Sequence, residues 1–121
     1  MAIKTTSSYE MGAVEVVSVY DGDTFKANIK GIPSLFGEEI SIRLRGIDTS
    51  EMRGGTIESK AKAKEARDYL SGLLSGNVVT LHNVERGKYF RIVADVRAGE
   101  VDVVRELLRL GMGEPYDGGS R

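Results

Sequence analysis

Five short strand-like runs, a helical stretch after the third and another at the end of the chain predict an α+β domain. The arrangement that fits best is a five-stranded, partly open OB-fold barrel with a helix between strands 3 and 4 and a C-terminal helix. Three observations carry this expectation. Valine-rich or alternating runs recur with turn residues between them. The apolar period changes from about 2 to about 3.6 residues after the third run. The length, 121 residues, suits one core and no more.

The elements follow in order. Residues 1–10 are polar and rich in serine and threonine, a loose N-terminal arm to a single domain of residues 1–121. Met11 to Tyr20 is dense in valine and reads as a strand. Asp21-Gly22-Asp23 is turn chemistry, and Thr24 to Ile29 alternates as the return strand of a hairpin. Lys30 to Glu39, with Gly31, Pro33 and Gly37, is a loop. Ile40 to Ile47 alternates again, with Ile40, Ile42 and Leu44 on one face and Arg43 and Arg45 on the other. A polar segment, Asp48 to Thr56, ends it. From Ser59 to Leu74, Ala66, Tyr69, Leu70, Leu73 and Leu74 fall at helical spacing, and Gly76 is a natural stop. Two strands, Val78 to Val84 and Lys88 to Val96, flank Glu85-Arg86-Gly87, and Ala98-Gly99 makes a turn. Asp102 can cap a second helix that turns Val104, Leu107 and Leu108 inward and ends at Gly111. The tail, Glu114 to Arg121, reads as irregular.

Composition narrows the chemistry. Hydrophobic residues make up 40% and charged residues 29%, ordinary for a globular domain. No apolar run approaches the roughly 20 residues of a transmembrane helix, so no membrane partner is expected. The absence of an apolar leader points to a cytoplasmic location for the chain as given, with an exported form left open should the chain be a truncated one. There is no cysteine, which removes disulfides, thiolate nucleophiles and Cys-ligated zinc. One histidine, His82, rules out a two-histidine metal site within the chain. Carboxylates and arginines remain to carry any reaction. The net charge of −1 argues against a polycation that coats nucleic acid by bulk charge, but leaves room for a local basic groove.

Four acids gather at strand ends: Asp21 and Asp23 in the first turn, Asp48 and Glu51 after the third strand. Oxygen donors that meet there suit a hard divalent cation. An EF-hand is excluded, because Phe25, Lys26 and Ile32 stand where that loop requires an oxygen ligand, a glycine and a glutamate. Arg43, Arg45 and Arg91 lie within strands, where a guanidinium finds either water or an anion such as phosphate. Lys60, Lys64 and Arg67 form a basic stripe on the first helix, interleaved with Glu58 and Glu65, as on an ordinary solvated face.

The order of these signals is specific. D-G-D-T at 21–24, R-L-x-G-I-D-T-x-E at 43–51 and K-Y-x-R at 88–91 resemble the staphylococcal nuclease-like (thermonuclease) family from about Met11 to Gly119. The long loop before the third strand, the G-K-Y-F-R-I-V-A-D-V stretch and the P-Y-D-G-G tail look like a bacterial or phage-type branch. The resemblance implies one catalytic Ca²⁺ held by Asp23, Asp48 and the Thr49 backbone carbonyl, with Asp21 behind them. It implies that Glu51 orients or deprotonates the attacking water and that Arg43 and Arg91 grip the scissile phosphate. Lys88 and Tyr89 match residues near the substrate's terminal phosphate. The implied activity is sugar-nonspecific endonuclease and exonuclease hydrolysis of DNA and RNA, single strands preferred, leaving 3′-phosphates, by a monomer. The alternative is an OB-fold module that holds single-stranded nucleic acid without cutting it. Ser50 departs from the family's usual proline, the segment after Glu51 is short, and Tyr116 matches the family's base-side tyrosine only loosely in register.

Overall fold

The computed structural model describes residues 11–49, 56–87 and 91–116. Strand β1 (Met11–Asp21) turns through Gly22-Asp23 into β2 (Thr24–Asn28), antiparallel, with Val19 opposite Phe25 and Asp21 opposite Thr24. The loop that follows contains one short helical turn, α1 (Ser34–Gly37), before β3 (Ile40–Leu44). The expected single run from Ile40 to Ile47 is broken. Gly46 adopts a φ of +92°, and Ile47–Asp48 forms a separate two-residue strand, β4. A residue with a Cβ is strained at that angle, so glycine sets the bend.

Helix α2 (Ile57–Leu74) starts two residues before the expected Ser59. Thr56 caps it by accepting a bond from the Ser59 amide, and the Ser59 hydroxyl in turn accepts from the Thr56 amide. Two orphan donors are thereby satisfied. Strands β5 (Val79–Arg86) and β6 (Arg91–Ala98) replace the expected Val78–Val84 and Lys88–Val96, and the first three residues of the latter lie outside the described residues. A two-residue strand β7 (Val101–Asp102) extends β6, and Asp102 caps α3 (Val103–Arg109) as expected. The tail is not wholly irregular: Glu114–Pro115 forms β8, which pairs antiparallel with β4.

Five long strands make the barrel, in the order β3-β2-β1-β5-β6, and a parallel pairing of β3 with β6 closes it. Phe25, Ile42, Leu44, Leu81 and Val96 fill the interior, each essentially inaccessible to water. Helix α2 lies against β1 and buries Ala63, Ala66, Leu70 and Leu74, while α3 lies against β6 through Val103 and Leu107. Tyr69 of α2 donates to Glu106 of α3 at 3.2 Å and ties the two helices together. The fold is the α+β, OB-type barrel with a mid-chain and a C-terminal helix. Among the described residues no helix is long and apolar enough to cross a membrane.

Candidate active site

The first turn is fixed by what lies behind it. A Cβ on Gly22 would stand 2.7 Å from the Ala66 Cβ and 2.9 Å from the Thr49 hydroxyl oxygen, so only glycine lets the turn seat against α2 and the chain after β4. Asp23 is the hub of this corner. Its Oδ2 accepts from the Thr49 amide at 3.0 Å, its Oδ1 accepts from the Thr24 hydroxyl at 3.0 Å, and its carbonyl accepts from the Leu44 amide at 2.9 Å. Asp21 Oδ1 accepts from the Asp23 amide at 3.2 Å. The β1–β2 turn and the β3–β4 corner are thus stitched together, which brings Asp48 beside the first two acids.

Arg43 projects from β3 opposite Thr24. Its Nη1 lies 3.5 Å from Asp23 Oδ2 and its Nη2 3.6 Å from Asp48 Oδ1. Nη1 also donates to the carbonyls of Leu44 at 2.9 Å and Ile47 at 2.8 Å, and the guanidinium stacks 5.5 Å from the centre of the Tyr116 ring. That fixes both the position and the plane of the cation. Arg91 opens β6 opposite Ser41, and its Nε is buried with no hydrogen-bond partner among the described residues. Asp21, Asp23, Asp48, Arg43 and Arg91 line one cleft of about 670 Å³. Two cations of fixed charge therefore face three carboxyl groups across a single opening.

The acids are not at ease with one another. Burial, then the hydrogen bond and charge of Asp23, push the Asp21 carboxyl up to about 7. A cation placed here would relieve that repulsion and offset the desolvation. The donors are all oxygen, with no histidine or cysteine among them, which is the chemistry of Ca²⁺ or Mg²⁺. Among the described residues, however, no three Asp, Glu, His or Cys side chains converge as a ready-made metal cluster. Asp23 and Asp48 are each drawn toward Arg43 instead.

The structure brings together Asp21, Asp23, Asp48, Arg43 and Arg91 of the residues singled out in the sequence. Thr49 is buried beside them through its amide, and it lines a neighbouring cleft with Asp48, Lys62 and Glu65. Glu51, Lys88, Tyr89 and Ser50 lie outside the described residues. Arg45 takes a structural role: Nη1 pairs with Asp95 at 3.1 Å, and Nη2 pairs with Glu85 at 3.4 Å and donates to the Asn83 carbonyl at 2.6 Å. His82 sits on β5 with Nε2 at 2.9 Å from the Thr80 hydroxyl and is not in the cleft wall. The basic stripe of α2 is a solvated face, where Lys64 and Arg67 pair with Asp68. Sequence reasoning missed Ser18, Tyr20, Lys26 and Ser41, which also line the cleft. The signal was available, since Lys26 and Thr24 alternate with the buried Phe25 and Ala27.

Comparison with known proteins identifies the family. Residues 41–118 match the family described as staphylococcal nuclease homologue. "Probable endonuclease lcl3" of Pyrenophora tritici-repentis is 30% identical over 125 residues, covering 85% of this chain and 46% of that protein. "Probable endonuclease LCL3" of Verticillium alfalfae is 36% identical over 92 residues, covering 73% and 32%. The protein of that name from Phaeosphaeria nodorum is 33% identical over 91 residues, covering 70% and 31%. The chain thus spans between 31% and 46% of the length of these relatives, and they are fungal, which lends nothing to the expectation of a bacterial or phage-type branch. The chain belongs to the staphylococcal nuclease homologue family.

Proposed function

We propose that this domain is a Ca²⁺-dependent nuclease that hydrolyses phosphodiester bonds of DNA and RNA, acting as a monomer, preferring single strands and leaving 3′-phosphates. One observation carries the reading: two arginines and three carboxyl groups, from four strands and the β1–β2 turn, line a single cleft. The relatives' name, probable endonuclease, supports it.

Asp23 and Asp48 would hold the cation, with the Thr49 carbonyl as a further oxygen and Asp21 behind Asp23. Bound there, Ca²⁺ supplies Lewis-acid polarisation of a phosphoryl oxygen and a template for water. The chain's own residues do the rest. Arg43 and Arg91 bind the anionic phosphodiester and stabilise the charge that builds on its oxygens in the transition state. Glu51, two residues beyond Thr49 in the chain, orients the water and accepts its proton. The water oxygen forms a bond to phosphorus as the bond to the 5′ oxygen breaks. A proton then passes to that leaving oxygen, giving a 5′-hydroxyl and a 3′-phosphate.

The test is cleavage of end-labelled single-stranded DNA with Ca²⁺ and with chelator, for wild type and Glu51→Ala, with analysis of the product ends. Ca²⁺-dependent cutting to 3′-phosphates that falls steeply in the variant is the expected result. Binding of the strand without cutting would instead favour a nucleic-acid-holding module.

A further inference from the structure

The cleft extends well beyond the acids and arginines. Ser18 of β1 is registered opposite Lys26 of β2, Lys26 opposite Ser41 of β3, and Ser41 opposite Arg91 of β6. All four line the same opening, together with Tyr20. Neighbouring strands lie roughly 4.8 Å apart, so this row runs about 14 Å across four strands and ends on a phosphate-gripping arginine. The row beside it, reached along the same strands, is Asp21, Thr24 and Arg43. One row therefore carries the reacting centre, and the other leads away from it.

The side chains of the row through Lys26 form a polar track. Lys26 is exposed and has no ion-pair partner among the described residues, in contrast to Lys64, which Asp68 neutralises. Two hydroxyls flank it. Tyr20 is 57% exposed and lines the same opening. A lone cation, hydroxyl donors and an exposed ring beside a groove are what a single strand requires: charge for a phosphate, donors for sugar and phosphate oxygens, a flat face for a base.

We propose that Ser18, Lys26 and Ser41, with Tyr20 at the rim, form a binding subsite for the nucleotide next to the bond being cut. Lys26 takes the neighbouring phosphate, the serines take its sugar and phosphate oxygens, and Tyr20 stacks the base. This rests on the nuclease reading, and it makes single-strand preference a property of the track, since a base paired in a duplex cannot reach a ring face.

The test uses a fluorescent dodecanucleotide and a dinucleotide with wild type, Lys26→Glu, Tyr20→Leu and Lys60→Glu, the last a charge-matched change on the exposed face of α2. Binding is read by anisotropy in chelator, so it does not depend on turnover, and thermal melting checks that each variant folds. Lys26→Glu is expected to weaken dodecanucleotide binding at least tenfold and to reduce the log–log salt slope by about 0.7, because one phosphate is no longer neutralised. Tyr20→Leu is expected to weaken it about tenfold with the salt slope unchanged. Lys60→Glu stays within about twofold, as an exposed charge remote from the ligand should. With Ca²⁺, both track variants raise KM for the dodecanucleotide at constant kcat, and Tyr20→Leu raises it for the dinucleotide too, which keeps the stacked base but lacks the neighbouring phosphate. Folded track variants that bind and cut the dodecanucleotide like wild type overturn the subsite while the nuclease reading stands. Binding lost in Lys26→Glu, with a wild type that does not cut, upholds the subsite and removes the nuclease. A wild type that binds no oligonucleotide removes both.

Discussion

Arg43 stands where a metal ion and a substrate would both make demands. Its guanidinium lies 3.5 Å from Asp23 and 3.6 Å from Asp48, the two carboxylates best placed to hold a cation. Removing it should therefore have opposite effects on two measurements. In Arg43→Ala, Ca²⁺ affinity by calorimetry is expected to rise several-fold, because a competing positive charge has left. Cleavage is expected to fall on the order of 10²–10³-fold, as when one charge-stabilising donor is lost. A fall in both would reduce Arg43 to a prop for the corner. Asp21 gives the pH dependence. Its carboxyl is pushed from 3.8 up to about 7, so the folded chain keeps a proton that the unfolded chain has lost. Between about pH 4 and 7 stability without metal is then expected to fall as pH rises, the loss being complete once pH is above the folded-state value. Asp21→Asn should flatten that slope and raise the Tm at pH 8 without metal. An unchanged slope in melting curves would show that Asp21 is not the group responsible.

At the scale of elements, the pairing of β4 with β8 holds the rim of the site. The Tyr116 amide donates to the Gly46 carbonyl at 3.0 Å, and its ring lies over Arg43. Gly113 makes the close approach possible, since a Cβ there would sit 2.7 Å from Ile47 Cγ1 and 2.9 Å from the Asp48 carbonyl oxygen. Backbone cannot move aside as a side-chain tip can. Gly113→Ala should cost about 1–3 kcal/mol in urea unfolding and lower kcat by loosening Arg43; full activity with normal stability would show the clamp to be dispensable. None of this was legible in the chain. Glu114–Pro115 is too short to alternate, so it reads as tail, and Ile47 reads as part of the third strand although it is out of step with Ile40, Ile42 and Leu44, a break that falls at the Gly46 bend. Long periodic elements were legible. The stripe through Ala66, Leu70 and Leu74 placed α2 to within two residues, and its first residues went unread because the Thr56–Ser59 box has serine where glutamate would have flagged it.

For the whole molecule, hairpins were easier to read than closure. The β1–β2 turn is local and announces itself as Asp21-Gly22-Asp23, whereas the parallel β3–β6 pairing that closes the barrel joins segments about fifty residues apart and leaves no periodic trace. Asp21, Asp23, Asp48, Arg43 and Arg91, singled out by motif order, line one cleft, whereas Ser18, Tyr20, Lys26 and Ser41 belong to no motif and went unread. Arg45 shows the limit. It shares a face with Arg43 in the sequence pattern, yet the irregular β5–β6 register at Asn83, with φ at +52°, presents a carbonyl and two acids that capture it. Arg91 keeps its place at the opening. The most direct measurement of its role is the single-turnover rate on a single-stranded oligonucleotide at saturating Ca²⁺ for wild type and Arg91→Ala, with Ca²⁺ affinity measured on both. A phosphate-gripping Arg91 predicts a rate lower by about 10²–10³-fold in the variant, with metal affinity unchanged. An Arg91→Ala protein that cuts as fast as wild type would contradict it.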